Sequence, residues 1–271
     1  MAQHTTSNTR TQRVHRAGHR PWRDGSRVLT FFLALLAALP AAAGTFQPPA
    51  GCEGYVTVQS RSCKVSNHYR CAGDARGDQW RVDFGVNGAY FRSRIDYETQ
   101  WAESHESDGT IELLEPGARD PASFSELLAT GRDSFDFSTM KSNGLRENVT
   151  GYDQLTGETV VIDGVALRRT KYDVRATRDD GSPIWQARGN EYIHPEWRTF
   201  LSGAGMVDLG DGYLPQDFSP VEFAFPGEPG FMTTIPLYDC EPMTARAPAI
   251  GEVIMPAAHP AATSISSEDA R

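Results

Sequence analysis

Four Asn-Gly or Asp-Gly pairs set between stretches of alternating polarity constrain this chain more than any other feature. Asn87-Gly88, Asn143-Gly144, Asp163-Gly164 and Asp180-Gly181 supply residues that tolerate positive φ, as a tight two-residue hairpin turn demands. Beside the first pair, Trp80, Val82 and Phe84 alternate with Gln79, Arg81 and Asp83. Beyond it, Phe91, Ser93, Ile95, Tyr97, Thr99 and Trp101 alternate with Arg92, Arg94, Asp96, Glu98 and Gln100. A period of two sorts side chains onto the two faces of a strand. Further strands are expected at 55–60, 66–71, 135–140, 147–152, 158–162, 165–177, 184–193, 197–201, 221–225 and 231–237. The short connections favour an antiparallel meander.

One helix is expected, over residues 121–130. Asp120 suits its N-cap, Pro121 its first turn and Gly131 its end, and Phe124, Leu127 and Leu128 form an apolar stripe. About ten strands at ~4.8 Å spacing span nearly 50 Å, whereas one helix covers about 10 Å. The sheet must therefore bury its own apolar face. The expected fold is mainly β, a meander curled into a barrel or half-barrel, with a sandwich as the alternative.

Residues 1–43 have the pattern of a secretory signal. Six arginines precede the uncharged run Val28 to Leu39, which leads into Pro40-Ala41-Ala42-Ala43. The run is shorter than the roughly 20 apolar residues that span a bilayer. Removing those arginines and Asp24 takes 26 basic and 35 acidic residues to 20 and 34, a formal charge of −14. Such a surface disfavours nucleic acid and anionic membranes. Residues 44–241 are expected to form one domain and 242–271 a disordered Pro/Ala/Ser-rich tail. The mature protein is expected to be exported, periplasmic or extracellular, without a transmembrane segment.

The chain has four cysteines, Cys52, Cys63, Cys71 and Cys240. An even count in an exported chain favours disulfides. The expected pairing is Cys63–Cys71, closing a local loop, and Cys52–Cys240, stapling the ends of the domain. No C-x-x-C pair, H-E-x-x-H motif, calcium loop, nucleophile elbow or phosphate-binding glycine loop occurs. No metal site and no cofactor are therefore expected. One cluster, Glu191 to Trp197, joins a histidine to carboxylates. On a strand Glu191 and His194 point to opposite faces, and Pro195 marks a strand end. His194 is accordingly expected to be structural.

The exported curled-sheet outline is similar, in architecture alone, to periplasmic lipoprotein carriers and lipocalin-like binders, a likeness that transfers no residue. The leading expectation is a binder of an apolar or amphipathic small molecule, a lipid or an envelope partner. Its cavity, above about 300 Å³, would be lined by Trp80, Phe84, Phe91, Ile95, Tyr97, Trp101, Tyr172, Phe223 and Phe225. A hydrolase with a site near Glu191–Trp197 and a structural envelope protein are the alternatives.

Overall fold

A computed structural model describes residues 44–240. The expected signal segment and the expected tail lie outside the described residues. Thirteen strands form one antiparallel sheet in the order β12-β11-β10-β9-β8-β7-β6-β5-β4-β3-β2-β1-β13. They are β1 (Cys52–Ser60), β2 (Lys64–Cys71), β3 (Gln79–Gly85), β4 (Gly88–Ile95), β5 (Trp101–Glu106), β6 (Ile111–Leu114), β7 (Arg132–Lys141), β8 (Arg146–Ile162), β9 (Val165–Thr177), β10 (Pro183–His194), β11 (Thr199–Asp208), β12 (Tyr213–Asp217) and β13 (Pro220–Ala224). One helix, α1 (Phe124–Thr130), interrupts the meander.

All four marked turns are hairpin turns. At the β8–β9 connection Asp163 and Gly164 both have positive φ, 46° and 77°, as a type I′ turn requires. The ladder does not close, since β12 and β13 are its two edges. Yet only Phe218 and Ser219 separate those edges in the chain, so Asp217 and Pro220 lie at most about 11 Å apart. Laid flat, thirteen strands would span roughly 60 Å. The sheet therefore curls until its edges meet at this corner. There Ser62 Oγ donates to the Asp217 carbonyl at 2.8 Å and the Arg61 N–H to that of Ser219 at 3.0 Å.

Several expectations are corrected. The alternating run from Phe91 to Trp101 is two strands, because the Asp96 carboxylate accepts the N–H groups of Glu98 and Gln100 at 2.9 Å each and folds a turn. Tyr97 projects from that turn, half-exposed. Strands β6 and β12 were not expected. Residues 231–237 are not a strand but an irregular segment lying across β1 and β2. Its backbone is satisfied by side chains, with Thr57 Oγ1 accepting from Met232 N at 2.7 Å, Gln59 bonding both Ile235 and Leu237, and Asn67 donating to the Thr233 carbonyl at 2.8 Å. The helix is capped by Ser123, whose hydroxyl accepts from Glu126 N at 3.2 Å, whereas Asp120 bridges to Asp136. Gly131 ends it as expected, at φ 85°.

The disulfides are Cys52–Cys71 and Cys63–Cys240, the reverse of the expected pairing. Lys64–Cys71 is extended, so at about 3.3 Å per residue Cys63 and Cys71 sit roughly 26 Å apart. A disulfide tolerates no more than about 7 Å between Cα atoms. Cys71 instead lies directly opposite Cys52 in the β1–β2 register. Cys63, in the hairpin turn, donates its N–H to Tyr238 at 2.8 Å and so meets the C-terminal segment.

Candidate functional site

The concave face of the curl encloses a cavity of about 250 Å³. It is smaller than the space expected from the sequence and more polar. Strand register explains the polarity. Phe91, Ser93 and Ile95 pair with Asp83, Arg81 and Gln79, so these six share one face. That is the cavity face, and it carries the polar set of β3. Val82 and Phe84 point the other way, into a cluster with Val65, Tyr69 and Phe46. Alternation identifies two faces but not which one encloses space, and here both are covered.

One wall is aromatic. Trp101 meets Phe137 edge-on at 5.5 Å and stacks near Trp185 at 6.5 Å. Phe135, Val174 and Ala187 complete it. Beside these rings, also lining the cavity, runs a paired polar chain. Trp185 Nε1 donates to Glu147 at 2.9 Å, Glu147 pairs with Lys141 at 2.6 Å, and Thr139 donates to Glu112. Both charges of the Glu147–Lys141 pair are buried, so each relies on the other.

Further along the same strands the lining is acidic. Asp133 on β7, Asp153 on β8 and Glu191 on β10 all line the cavity. Register places Asp133 opposite Asp153, and Asp153 opposite Tyr172, so the acids share one face with that ring. Burial pushes the Asp133 carboxyl up to about 6 and that of Glu191 up to about 7. Burial and the charges of Glu191 and Asp133 raise Asp153 well above the ordinary range. Glu106, near the aromatic wall, is likewise raised by burial to about 7. Across the space stand Arg81, paired to Asp83 at 3.0 Å, and His68, which burial holds neutral down to about 3. Lys64, on the same face of β2 as His68, is lowered by burial to about 8.

Close strand approach makes room for Tyr172. Gly189 and Gly205 face each other between β10 and β11. A Cβ on Gly205 would lie 2.7 Å from the Arg188 carbonyl and 3.0 Å from the Tyr172 hydroxyl. Helix α1 covers the end of the curl beyond Glu191, packing Phe124 and Leu127 on Ile193, Leu155 and Phe200. Glu98, from the turn that splits the long alternating run, takes its N-terminal donors: Ser125 N at 2.8 Å and Ser123 Oγ at 3.2 Å.

Of the residues expected to line the cavity, Phe91, Ile95, Trp101 and Tyr172 do so. Trp80 borders it, but its ring stacks on Tyr69 and donates to Asp74 on the opposite face. Phe84 belongs to that opposite face, and Tyr97 lies in the exposed turn. Phe223 and Phe225 pack around Trp197 with Val56 and Val58 in a separate cluster. Sequence reasoning missed Phe135, Phe137, Asp133 and Asp153, and named Glu191 only within the Glu191–Trp197 cluster. A signal existed in β7, where Asp133, Phe135, Phe137, Thr139 and Lys141 share one parity and thus one face.

The Glu191–Trp197 cluster divides. Glu191 lines the cavity, whereas the His194 ring stacks on Trp197 at 3.7 Å and its Nδ1 accepts from Trp197 N at 3.2 Å. His194 thus holds the turn after β10. Among the described residues no three His, Cys, Asp or Glu side chains group as a metal site, and no helix is long and apolar enough to cross a membrane. Two disulfides mark folding in an oxidising environment. Comparison with family models, curated proteins and solved structures finds no match to this chain.

Proposed function

We propose that this is an exported binding protein that holds a small amphipathic molecule inside its curled sheet. The signal-like segment at residues 1–43 would direct export, with cleavage after Ala43, and the paired disulfides support that route. The observation that carries the binding reading is the cavity itself: aromatic towards one end, titratable towards the other, at about 250 Å³. An engineered apolar cavity of about 150 Å³ accepts benzene, so this space takes a substituted ring or a short branched chain. An apolar body would lie against Trp101, Phe137 and Trp185, and a polar end would meet Asp153 and Glu191. A hydrolase centred on Glu191 would lack His194 as its base, since that ring is committed to Trp197.

Native mass spectrometry of the exported protein tests the proposal. The expected result is a bound mass that leaves on denaturation, and whose return quenches or shifts tryptophan fluorescence. Ligand-free protein whose Trp101 and Trp185 emission responds to no amphipathic probe would overturn it and favour a structural envelope role.

A further inference from the structure

The cavity's charge is lopsided in a way the fold itself does not resolve. Seven carboxylates line it against three cations, Arg81, Arg94 and Lys141. Each of the three is already held: Arg81 by Asp83 at 3.0 Å, Arg94 by Asp78 at 2.5 Å and Lys141 by Glu147 at 2.6 Å. Glu106, Asp133, Asp153 and Glu191 have no cation within 4 Å among the described residues. Among the described residues Lys64 is a further buried cation close by; its field and that of Arg81 act on Glu191, and that of Lys141 acts on Glu106. A buried carboxylate without a partner costs several kcal/mol unless it takes up a proton or finds a counter-charge.

A second observation comes from individual atoms. Asp133 is 4% exposed, and while one of its oxygens accepts from Ser123 N at 3.0 Å, Oδ1 has no partner. The Nε2 atom of His68, a residue 3% exposed, is also unpartnered. Both residues line the cavity, and the fold gives neither atom a partner of its own.

Resting on the binding role above, we propose that the ligand is an organic cation: an amine on a compact apolar or aromatic body. The ammonium would sit among Asp133, Asp153 and Glu191, replacing the water those carboxylates lost on burial. The body would lie on Trp101, Phe137 and Trp185, whose rings favour a cation or a neighbouring aromatic. A carboxylate or phosphate ligand would instead add to an unbalanced negative field.

Three probes with one body separate charge from shape: phenethylamine, 2-phenylethanol and 3-phenylpropionate, titrated calorimetrically into the exported protein at pH 8. The amine is expected to bind at least tenfold more tightly than the alcohol, and the carboxylate more weakly than either. The Asp153→Asn/Glu191→Gln variant is expected to lose at least tenfold for the amine while holding the alcohol within about twofold, which also shows that its cavity is intact. Asp133→Asn serves as the second variant, with a smaller loss in the same direction. Equal or tighter binding of the alcohol or carboxylate, or an amine preference untouched by both variants, overturns the inference while leaving the binding role standing. No binding by any of the three overturns both.

Discussion

Glu191 shows how one buried side chain sets a pH dependence. Its carboxyl is raised from 4.5 to about 7 by burial, so the folded state holds its proton more tightly than the unfolded chain. Its contribution is fully present below about pH 4.5 and is lost as pH rises through about 7. Asp133 and Glu106 run the same way, to about 6 and about 7. His68 opposes them, since an imidazole held neutral to about 3 loses stability as pH falls below 6.5. Three carboxyls against one imidazole make stability fall as pH rises from about 5 to 7, so denaturant melts at pH 5 and 7.5 should show the lower pH more stable. Glu191→Gln should match the wild type at pH 4.5 and exceed it at pH 8 by on the order of 2 kcal/mol. A difference independent of pH would contradict the assignment. Lys141 gives a test of opposite sign. Lys141→Met strands Glu147 and should cost roughly 3–5 kcal/mol, whereas Lys141→Met/Glu147→Gln should recover most of it, because glutamine still accepts from Trp185. A double variant no better than the single would argue against the pair.

Among the elements, β1 and β2 carry most of the cross-linking. The Cys52–Cys71 bridge joins facing strand ends 19 residues apart, and Cys63–Cys240 joins the hairpin turn to the C-terminal segment across 177 residues. Loop-closure entropy estimates about 3 kcal/mol for the first and about 5 kcal/mol for the second. Paired Cys→Ala variants should therefore lower the melting temperature more for Cys63/Cys240 than for Cys52/Cys71, and the reverse order in calorimetry would show that local strand pairing dominates. The two edge strands also differ. Strand β12 is short, largely solvent-facing and interrupted by Pro215, which discourages pairing with another chain. Strand β13 has Phe223 and Ala224 buried, and Phe223 N donates to Asp163 at 2.8 Å. In hydrogen exchange, β12 amides should exchange early and the Phe223 amide late; similar protection at both edges would mean that the sheet closes more fully in solution than its ladder indicates.

For the molecule as a whole, the curl is the device that turns a sheet into a container. Most strands pair with their sequence neighbours, so the meander forms from local contacts. Among the ladder pairings only β1 with β13 joins distant parts of the chain; the terminal segment on β1 and β2, and side chains such as Gln79 reaching the Trp197 and Arg198 carbonyls, add further long-range contacts. The long disulfide lies at that same junction, between Cys63 and Cys240. Closure of the curl and burial of the acids are therefore expected to be linked. Small-angle scattering of the Cys63→Ala/Cys240→Ala variant would reveal an opened curl as a larger radius, accompanied by loss of the pH dependence described for Glu191.

The hairpin turns, the antiparallel meander and helix α1 were legible in the sequence because they depend on local chemistry. Asp163-Gly164 needs only its own positive φ angles, and Gly131 only its own freedom to end α1. The cysteines were legible as disulfides but not in their partners, although the extended stretch 66–71 already separated Cys63 from Cys71. Alternation in β3 marked an apolar face, yet its cavity face proved to be the one bearing Arg81 and Asp83. That choice depends on which face the strand's neighbours and the terminal segments cover, and no single strand encodes it. Asp133 and Asp153 escaped notice, and Glu191 was named only beside His194, for a related reason. Asp133, Asp153 and Glu191 lie far apart in the chain and look like solvated residues one at a time, and only strand register brings them to one wall, where burial changes their chemistry.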